Sequence, residues 1–252
     1  TIKFIETNRD NPFLAYLSFY SVHTPLMAPS KMVKKYKTKI KKLGLDEQTE
    51  FALEEQVHPG GKERKVRILQ KHATYAAMIE SVDNQVGKVL NKLKELNIDQ
   101  NTIICFTSDN GGLSTSEGSP TSNMPLRGGK GWLYEGGIRE PFLISWPGVR
   151  KPNALSDTPV ISTDFYPTLL ELAELPAKPK QHLDGLSLAP ILKNSGTVKR
   201  KNLFWHYPHY SNQGGFPGAI LAKKAKHLAS ADVQVNILVG LHRAETLADT
   251  PN

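Results

Sequence analysis

The sequence predicts an α/β fold with a mixed, largely parallel sheet flanked by helices. An apolar, β-branched run at residues 103–106 ends abruptly in Ser108, Asp109 and Asn110, as buried strands do at the carboxyl edge of a sheet. Apolar residues recur at intervals of three and four between residues 66 and 97, which predicts a long amphipathic helix directly before that strand. A helix that leads into a strand through a short turn is typical of a βαβ unit, so the strand that precedes the helix should belong to the same sheet.

The elements before this unit follow from local patterns. Residues 13–20 predict a buried strand, and the loop at 21–29 after it holds His23. Ser30 is a candidate N-cap for a short basic helix that ends near residue 42. The polar stretch 44–64 contains a Pro-Gly-Gly turn and predicts a surface excursion. In the long helix, His72 is expected at the boundary of the apolar stripe and not as a ligand.

The elements after the unit are shorter. They comprise strands at 142–146 and 203–207, a helix at 165–175 capped by Thr163 or Asp164, and a short turn at 188–192.

Length and composition set limits on the class of protein. With 252 residues, 39% of them hydrophobic, the chain can bury the core of one domain or of one domain and a part. No apolar run is long enough to cross a bilayer, so no membrane span is expected. The single cysteine, Cys105, excludes an internal disulfide and lies within the predicted strand, where it is expected to act as a small buried hydrophobe.

Two neighbouring segments carry candidate chemistry. Asp109 and Asn110 offer adjacent oxygen donors suited to a hard divalent cation, and the glycines after them allow a sharp turn. Lys130 follows in a glycine-rich loop, where its ammonium group can act as a compact point charge. A metal and a lysine that face one cavity could hold a tetrahedral oxyanion. The alternative is that Asn110-Gly111 forms a simple turn.

Three blocks of sequence, in this order, together resemble the sulfatase family of the arylsulfatase type, within the alkaline-phosphatase superfamily. The first is the predicted strand 13–20 with Val22-His23-Thr24-Pro25-Leu26, the second is Ser-Asp-Asn-Gly at 108–111, and the third joins Leu-Arg-Gly-Gly-Lys-Gly at 126–131 to Tyr-Glu-Gly-Gly-Ile-Arg-Glu-Pro at 134–141. The resemblance covers roughly residues 1–219. It implies metal-dependent hydrolysis of sulfate esters.

The resemblance also implies roles for particular residues. Asp109 and Asn110 would ligate a divalent metal, with Ca²⁺ as the first candidate and Mg²⁺ as the second. Lys130 would bind the sulfate group, and His23 would bind substrate and could protonate the leaving alcohol. Outside the matched motifs, the aromatic setting of His206 and His209 fits a sugar subsite and packed sheet residues equally well.

Part of the family pattern is missing. The family's formylglycine nucleophile arises from Cys-x-Pro-x-Arg or a serine equivalent, and neither occurs in these residues. The first aspartate pair of the family's metal site is also absent. The interpretation is a carboxyl-terminal fragment with a partial catalytic domain at 1–219 and an atypical tail at 220–252. Such a fragment, without the missing amino-terminal part of the sulfatase, is predicted to be inactive alone.

The formal charge of +8 leaves several partners open. Lysines cluster at 31–42, 62–71 and 199–201; a solvated helix face is the first interpretation, and attraction of a sulfated glycan is the second. Nucleic acid is not expected, because no recognised binding module accompanies the charge.

The alternative functions are a phosphodiesterase or phosphatase of the same superfamily and a non-catalytic remnant that binds sulfated glycans. Asparagine at position 110 favours a one-metal sulfatase site over a two-zinc phosphatase site, where histidine is common. The resemblance implies a periplasmic, secreted or lysosomal location.

Overall fold

A computed structural model describes residues 1–54, 63–149, 153–223 and 237–239, with side chains described up to residue 219. The helices are α1 (Ile2–Asn8), α2 (Ser30–Lys42), α3 (Ala73–Glu95), α4 (Glu135–Ile138), α5 (Phe165–Leu172) and α6 (Ala189–Leu192). The strands are β1 (Phe51–Leu53), β2 (Lys65–Arg67), β3 (Ile104–Thr107), β4 (Phe142–Ser145), β5 (Asn202–Tyr207), β6 (Gly218–Lys223) and β7 (Ile237–Val239). No helix in the described ranges is long and apolar enough to cross a membrane.

The described residues fall into two compact units. The first comprises residues 1–54, 63–130 and 134–149, and the second comprises 131–133, 153–223 and 237–239. Every residue of the three matched sequence blocks except Gly131 lies in the first unit. The site predicted around Asp109, Lys130 and His23 therefore belongs to one unit.

In the first unit, α2 packs along α3. The partly buried residues of α2 are Met32, Val33, Tyr36 and Ile40, while every other residue of this helix is exposed. Their spacing of one, three and four residues places them on a single stripe, as expected for an amphipathic helix. The predicted basic helix is confirmed and ends at Lys42 as expected, but Ser30 is its first residue and Pro29 its N-cap, so the predicted cap at Ser30 is wrong.

The start of α3 differs from the prediction of a helix over 66–97. Residues 65–67 form strand β2, paired antiparallel with β1, and the helix begins only at Ala73. Arg67 explains the difference, because its 3%-exposed side chain pairs with Glu50 and donates to the Ser119 carbonyl, which holds this segment extended. His72 is the N-cap, and its Nδ1 accepts a hydrogen bond from the backbone amide of Tyr75 at 3.2 Å.

The sheet around the site also differs from the prediction. Strand β3 pairs antiparallel with β4, with Cys105 opposite Ile144, and all strand pairs within the described residues are antiparallel. The expectation of a largely parallel sheet is therefore not met in this part of the chain. A strand joins a parallel sheet only if a parallel strand lies beside it. Within the described residues, β3 has β4 as its only neighbour, and that pair is antiparallel.

The predicted buried strand at 13–20 is wrong in this structure, where the segment has no regular secondary structure. Leu14, Tyr16 and Tyr20 are 74%, 91% and 70% exposed. A strand is stabilised by backbone hydrogen bonds to a neighbour, and the described residues offer none to residues 13–19. An apolar, strand-forming sequence is therefore not sufficient for a strand when no neighbouring strand is present.

In the second unit, β5, β6 and β7 form an antiparallel sheet, with His206 opposite Ala219. Helix α5 is three residues shorter than predicted and follows a 3-10 turn at Ser162–Asp164. Asp164 is 1% exposed; it pairs through both carboxylate oxygens with Arg200 and accepts from the backbone amide of Leu186 at 2.8 Å. Most of the predicted atypical tail, 224–236 and 240–252, lies outside the described residues.

Candidate active site

The end of β3 presents the two predicted metal ligands. Asp109 is exposed and Asn110 is partly buried, two and three residues beyond the last residue of the strand. The Asn110 amide donates through Nδ2 to the Gly111 carbonyl at 3.1 Å, which leaves Oδ1 as an oxygen donor. Within the described residues, no hydrogen bond or ion pair engages the Asp109 carboxylate. Both oxygens are therefore available to a cation.

Glycines bring three loops into backbone contact behind these ligands. A Cβ on Gly111 would lie 1.7 Å from the Gly136 carbonyl oxygen, and one on Gly129 would lie 2.3 Å from the Gly112 oxygen. The Gly111 amide donates to the Gly137 carbonyl at 3.1 Å. Only residues without a side chain allow this approach, so the glycines of the second and third sequence blocks serve to pack the loops against each other.

Asn123 joins the same loops by its side chain. Its Oδ1 accepts from the Gly112 amide at 3.1 Å, and its Nδ2 donates to the carbonyls of Gly112 and Gly128 at 2.8 and 2.9 Å. The Lys130 amide donates to the same Gly112 carbonyl at 3.1 Å. Through these bonds, the segment that carries Lys130 is fixed to the segment that carries Asp109. Asn123 was not predicted as a site residue, since an asparagine in a Ser/Thr-rich loop is typical of an ordinary turn.

Lys130 and His23 meet in the first unit although 107 positions separate them. The Lys130 Nζ lies 2.9 Å from the His23 Nε2. An ammonium group can only donate, so Nε2 accepts and the imidazole carries its proton on Nδ1. That Nδ1 lies 2.8 Å from the Thr24 carbonyl oxygen, to which it donates. The two contacts agree on one neutral tautomer of His23.

Residues around the histidine fix its ring. The Tyr20 hydroxyl donates to the Thr24 carbonyl at 2.8 Å, and its ring lies 5.4 Å from the imidazole, tilted by 50°. The Thr24 hydroxyl donates to the Glu117 carboxylate at 3.1 Å. Tyr20 and Glu117 were not predicted as site residues. The sequence could have indicated Tyr20, because it lies only three residues before His23.

Glu140 adds a second carboxylate close to Asp109. Burial, and then the nearby Asp109 charge, raise the pKa of Glu140 to about 7. Its Oε1 is buried and has no hydrogen-bond partner within the described residues. A buried carboxylate oxygen without a partner, in the electrostatic field of Asp109, is a group that a nearby divalent cation would stabilise.

The number of ligands is small for such a cation. The described residues contain no group of three or more His, Cys, Asp or Glu side chains that could hold a metal ion. Ca²⁺ usually takes six to eight oxygens in proteins. Asp109 and Asn110 therefore fit part of a divalent-metal shell, and weak binding is expected from these residues alone.

The charged residues of the third block stabilise its loops. Arg139 donates to Glu135 at 3.1 Å across one turn of α4. Arg127 pairs with Glu54 at 2.8 Å and lies over the Tyr134 ring, 4.8 Å from its centre. These contacts give each side chain a structural role within the first unit.

His206 and His209 belong to the second unit. His206 lies on β5 and is exposed; His209 is exposed and makes an edge contact with the Tyr207 ring at 6.3 Å between centres. Exposed imidazoles are compatible with sheet residues that keep their polar tips in solvent. Contact with a sugar stays a prediction.

Comparison with known proteins identifies the family. The sequence profile of the Sulfatase family matches residues 1–175. The chain belongs to the sulfatase family. A sulfatase from Formosa agariphila is 36% identical over 225 residues, covering 84% of this chain and 36% of the relative. Human steryl-sulfatase is 31% identical over 210 residues, covering 81% of this chain and 30% of the relative.

Solved structures share the fold of this family member. The crystal structure of Ps i-CgsB in complex with k-i-k-neocarrahexaose is 28% identical, with a TM-score of 0.66 over 88% of this chain and 42% of that one. A putative sulfatase from Bacteroides fragilis, yidJ, is 23% identical with a TM-score of 0.62 over 87% of this chain and 45% of that one. The chain thus spans about a third of the length of the curated relatives and less than half of the solved ones.

Proposed function

We propose that this chain carries the sulfate-binding half of a sulfatase active site, and that the complete site hydrolyses a sulfate monoester. The observation that carries the proposal is the pair formed by Lys130 Nζ and His23 Nε2 at 2.9 Å, in the same unit as the Asp109–Asn110 oxygens. Family membership supplies the reaction class.

In this proposal, Lys130 binds and neutralises a non-bridging oxygen of the sulfuryl group. Its ammonium is a donor already aimed at a polar acceptor, so a sulfate oxygen could take the place of His23 Nε2 with little rearrangement. A divalent cation held by Asp109 and Asn110 would supply further positive charge to the same group. A cation at Asp109 would also offset the charge that Asp109 and Glu140 exert on each other.

His23 would serve the leaving group. Its Nδ1 is held by the Thr24 carbonyl, so Nε2 is the nitrogen that can exchange a proton in the site. When Lys130 turns toward sulfate, Nε2 becomes free to take up a proton and to donate it to the departing alcohol oxygen. The acid role therefore depends on release of the contact with Lys130.

None of the 252 residues lies in a Cys-x-Pro-x-Arg or Ser-x-Pro-x-Arg sequence, so no step through a formylglycine is assigned to this chain. The same observation favours the second candidate, a chain that binds sulfated ligands and does not cleave them. Catalysis would need a nucleophile from elsewhere. We propose on this basis that the isolated chain does not turn over an aryl sulfate. The periplasmic, secreted or lysosomal location stays a prediction.

Calorimetric titration of the full 252-residue chain with sodium sulfate, in the presence of calcium chloride, tests the anion site. We expect Lys130→Ala to weaken sulfate binding by about tenfold or more, because a charge-assisted contact is lost. Lys88→Ala is the matched control, since Lys88 is exposed on α3 in the same unit. Equal sulfate affinity for Lys130→Ala and the parent chain would exclude the proposed site.

The metal half of the proposal has its own test. Titration with calcium chloride should give weak binding that Asp109→Asn abolishes. Asp10→Asn removes a carboxylate that is 84% exposed and should leave calcium binding unchanged. Hydrolysis of 4-nitrophenyl sulfate by the purified chain would contradict the inactivity proposed for it.

A further inference from the structure

Helix α2 carries an unusual density of positive charge. Seven of its thirteen residues are lysines and none is acidic. All seven lysines are exposed. Within the described part of the chain, Lys35 alone among them forms an ion pair, with Glu80 of α3 at 2.5 Å. Asp83 of α3 acts on this face through Tyr36, and Asp46 and Glu50 line a cavity together with Lys37. Six of the seven lysines nevertheless form no ion pair within the described residues.

The lysines form two rows along the helix. Residues three or four positions apart are neighbours on a helix surface. Lys31, Lys35, Lys39 and Lys42 follow one such row. Lys34, Lys37 and Lys41 follow a second row on the other side of Thr38. Since a helix rises 1.5 Å per residue, the rows extend over about 16 Å. A linear chain of anionic groups laid along the helix would contact both rows.

We propose that these two rows form a surface that binds a sulfated polysaccharide outside the catalytic pocket. This inference rests on the proposed sulfatase function, because a polymer that carries many sulfate groups can place one at Lys130 and others on α2. The surface is within reach of the site. Ser30 follows His23 by seven residues, a distance of at most about 25 Å even for a fully extended chain.

Other polyanions fit the surface less well. The apolar stripe of α2 is packed against α3, so the helix cannot insert an apolar face into a membrane. Tyr36, the one aromatic residue of the helix, belongs to that partly buried stripe, so the charged face has no ring on which a base could stack. Arginine, which pairs with phosphate in a bidentate manner, is absent from the helix. Lysine point charges suit sulfate groups at irregular positions.

The test compares Lys31→Gln/Lys34→Gln/Lys41→Gln with the parent chain, by binding of fluorescently labelled dextran sulfate at several salt concentrations. Glutamine keeps the helix propensity, and the Lys35–Glu80 pair is left intact. The matched control, Lys178→Gln/Lys180→Gln/Lys201→Gln, removes the same charge from exposed positions of the second unit.

We expect the α2 variant to bind dextran sulfate about tenfold more weakly at low salt, with the slope of log affinity against log salt smaller by about three. The control should stay within about twofold of the parent, and unsulfated dextran should not bind. Binding of inorganic sulfate to the Lys130 site should be unchanged in the α2 variant, so failure of this surface and failure of the catalytic site give different results.

Three results would overturn the inference. The first is no binding of dextran sulfate to the parent chain. The second is an equal loss in the α2 variant and the control, which would show an effect of net charge alone. The third is tighter binding, at the same salt concentration, of duplex DNA or of vesicles made of phosphatidylcholine and phosphatidylserine, which would assign the surface to a different partner.

Discussion

The Lys130 Nζ lies 2.9 Å from the His23 Nε2, and the same imidazole donates through Nδ1 to the Thr24 carbonyl. The histidine is thereby held as the Nδ1-protonated tautomer. Nitrogen NMR of the imidazole should show this tautomer at pH 8, where a free imidazole in water prefers the Nε2-protonated form. In Lys130→Ala, Nε2 loses its donor and the second tautomer should become populated. Lys88→Ala should keep the parent spectrum.

The glycine contacts predict a large effect of one methyl group. Gly111→Ala would place a Cβ 1.7 Å from the Gly136 carbonyl oxygen, so the loops must separate. We expect a loss of about 3 kcal/mol in the free energy of unfolding, measured by urea denaturation. Gly87→Ala is the matched control, because a Cβ at this position in α3 meets nothing within 4 Å. It should raise stability by about 0.5–1 kcal/mol, since alanine is the better helix former. A small loss in Gly111→Ala would mean that the loops are not packed as described.

Glu140 predicts a pH dependence of stability. Burial and the Asp109 charge raise the pKa of Glu140 from 4.5 to about 7 in the folded chain. Between those values the native state keeps a proton that the unfolded state has lost, so stability should fall as the pH rises through this window. In EDTA, Glu140→Gln should flatten this fall and raise the free energy of unfolding at pH 8 by about 1 kcal/mol, after allowance for the half-exposed side chain.

The control for this measurement is Glu47→Gln, at an exposed position of the same unit. It should change stability by less than about 0.5 kcal/mol and keep the parent pH profile. A parent profile that rises between pH 4.5 and 7, or a Glu140→Gln profile identical to it, would contradict the prediction.

In the second unit, the buried pair of Asp164 and Arg200 predicts a strong effect of removing one partner. Asp164 is 1% exposed and also binds the backbone amides of Ile161 and Leu186. Arg200→Ala should destabilise the chain by about 3 kcal/mol in thermal or urea unfolding, because a buried carboxylate loses its counter-ion. Arg9→Ala removes one member of an exposed pair, Arg9 and Asp10, and should cost less than about 1 kcal/mol. Similar losses for the two variants would show that Asp164 has other compensation.

Local patterns in the sequence predict some of these elements well. Helix α2 ends at its predicted residue, and β3, β4 and β5 lie within two residues of their predicted bounds, because alternation and helical spacing show which side of an element is buried. The predicted pairing of strands and the strand at 13–20 fail, since both depend on neighbours that a local pattern does not specify. The boundary of α3 fails for a similar reason: the ion pair of Arg67 with Glu50, seventeen positions away, keeps residues 65–67 extended.

Much of the candidate site was predicted from residue types and order, and its supporting residues were not. His23 and Lys130 were assigned to one site from the order of the sequence blocks, while their direct contact is a result of the fold. Asn123, Tyr20 and Glu117 act by hydrogen bonds to backbone or to Thr24, which residue type alone does not reveal. The buried oxygen of Glu140 depends on the protein around it.

The open segment at 13–20 has a consequence for handling the polypeptide. Tyr16 and Leu14 are 91% and 74% exposed, in a stretch rich in strand-forming residues whose amides have no partners among the described residues. Such a stretch is a ready template on which a second molecule can add in register. Concentrated samples should therefore self-associate through this segment. The apparent molar mass measured by light scattering should then fall on dilution.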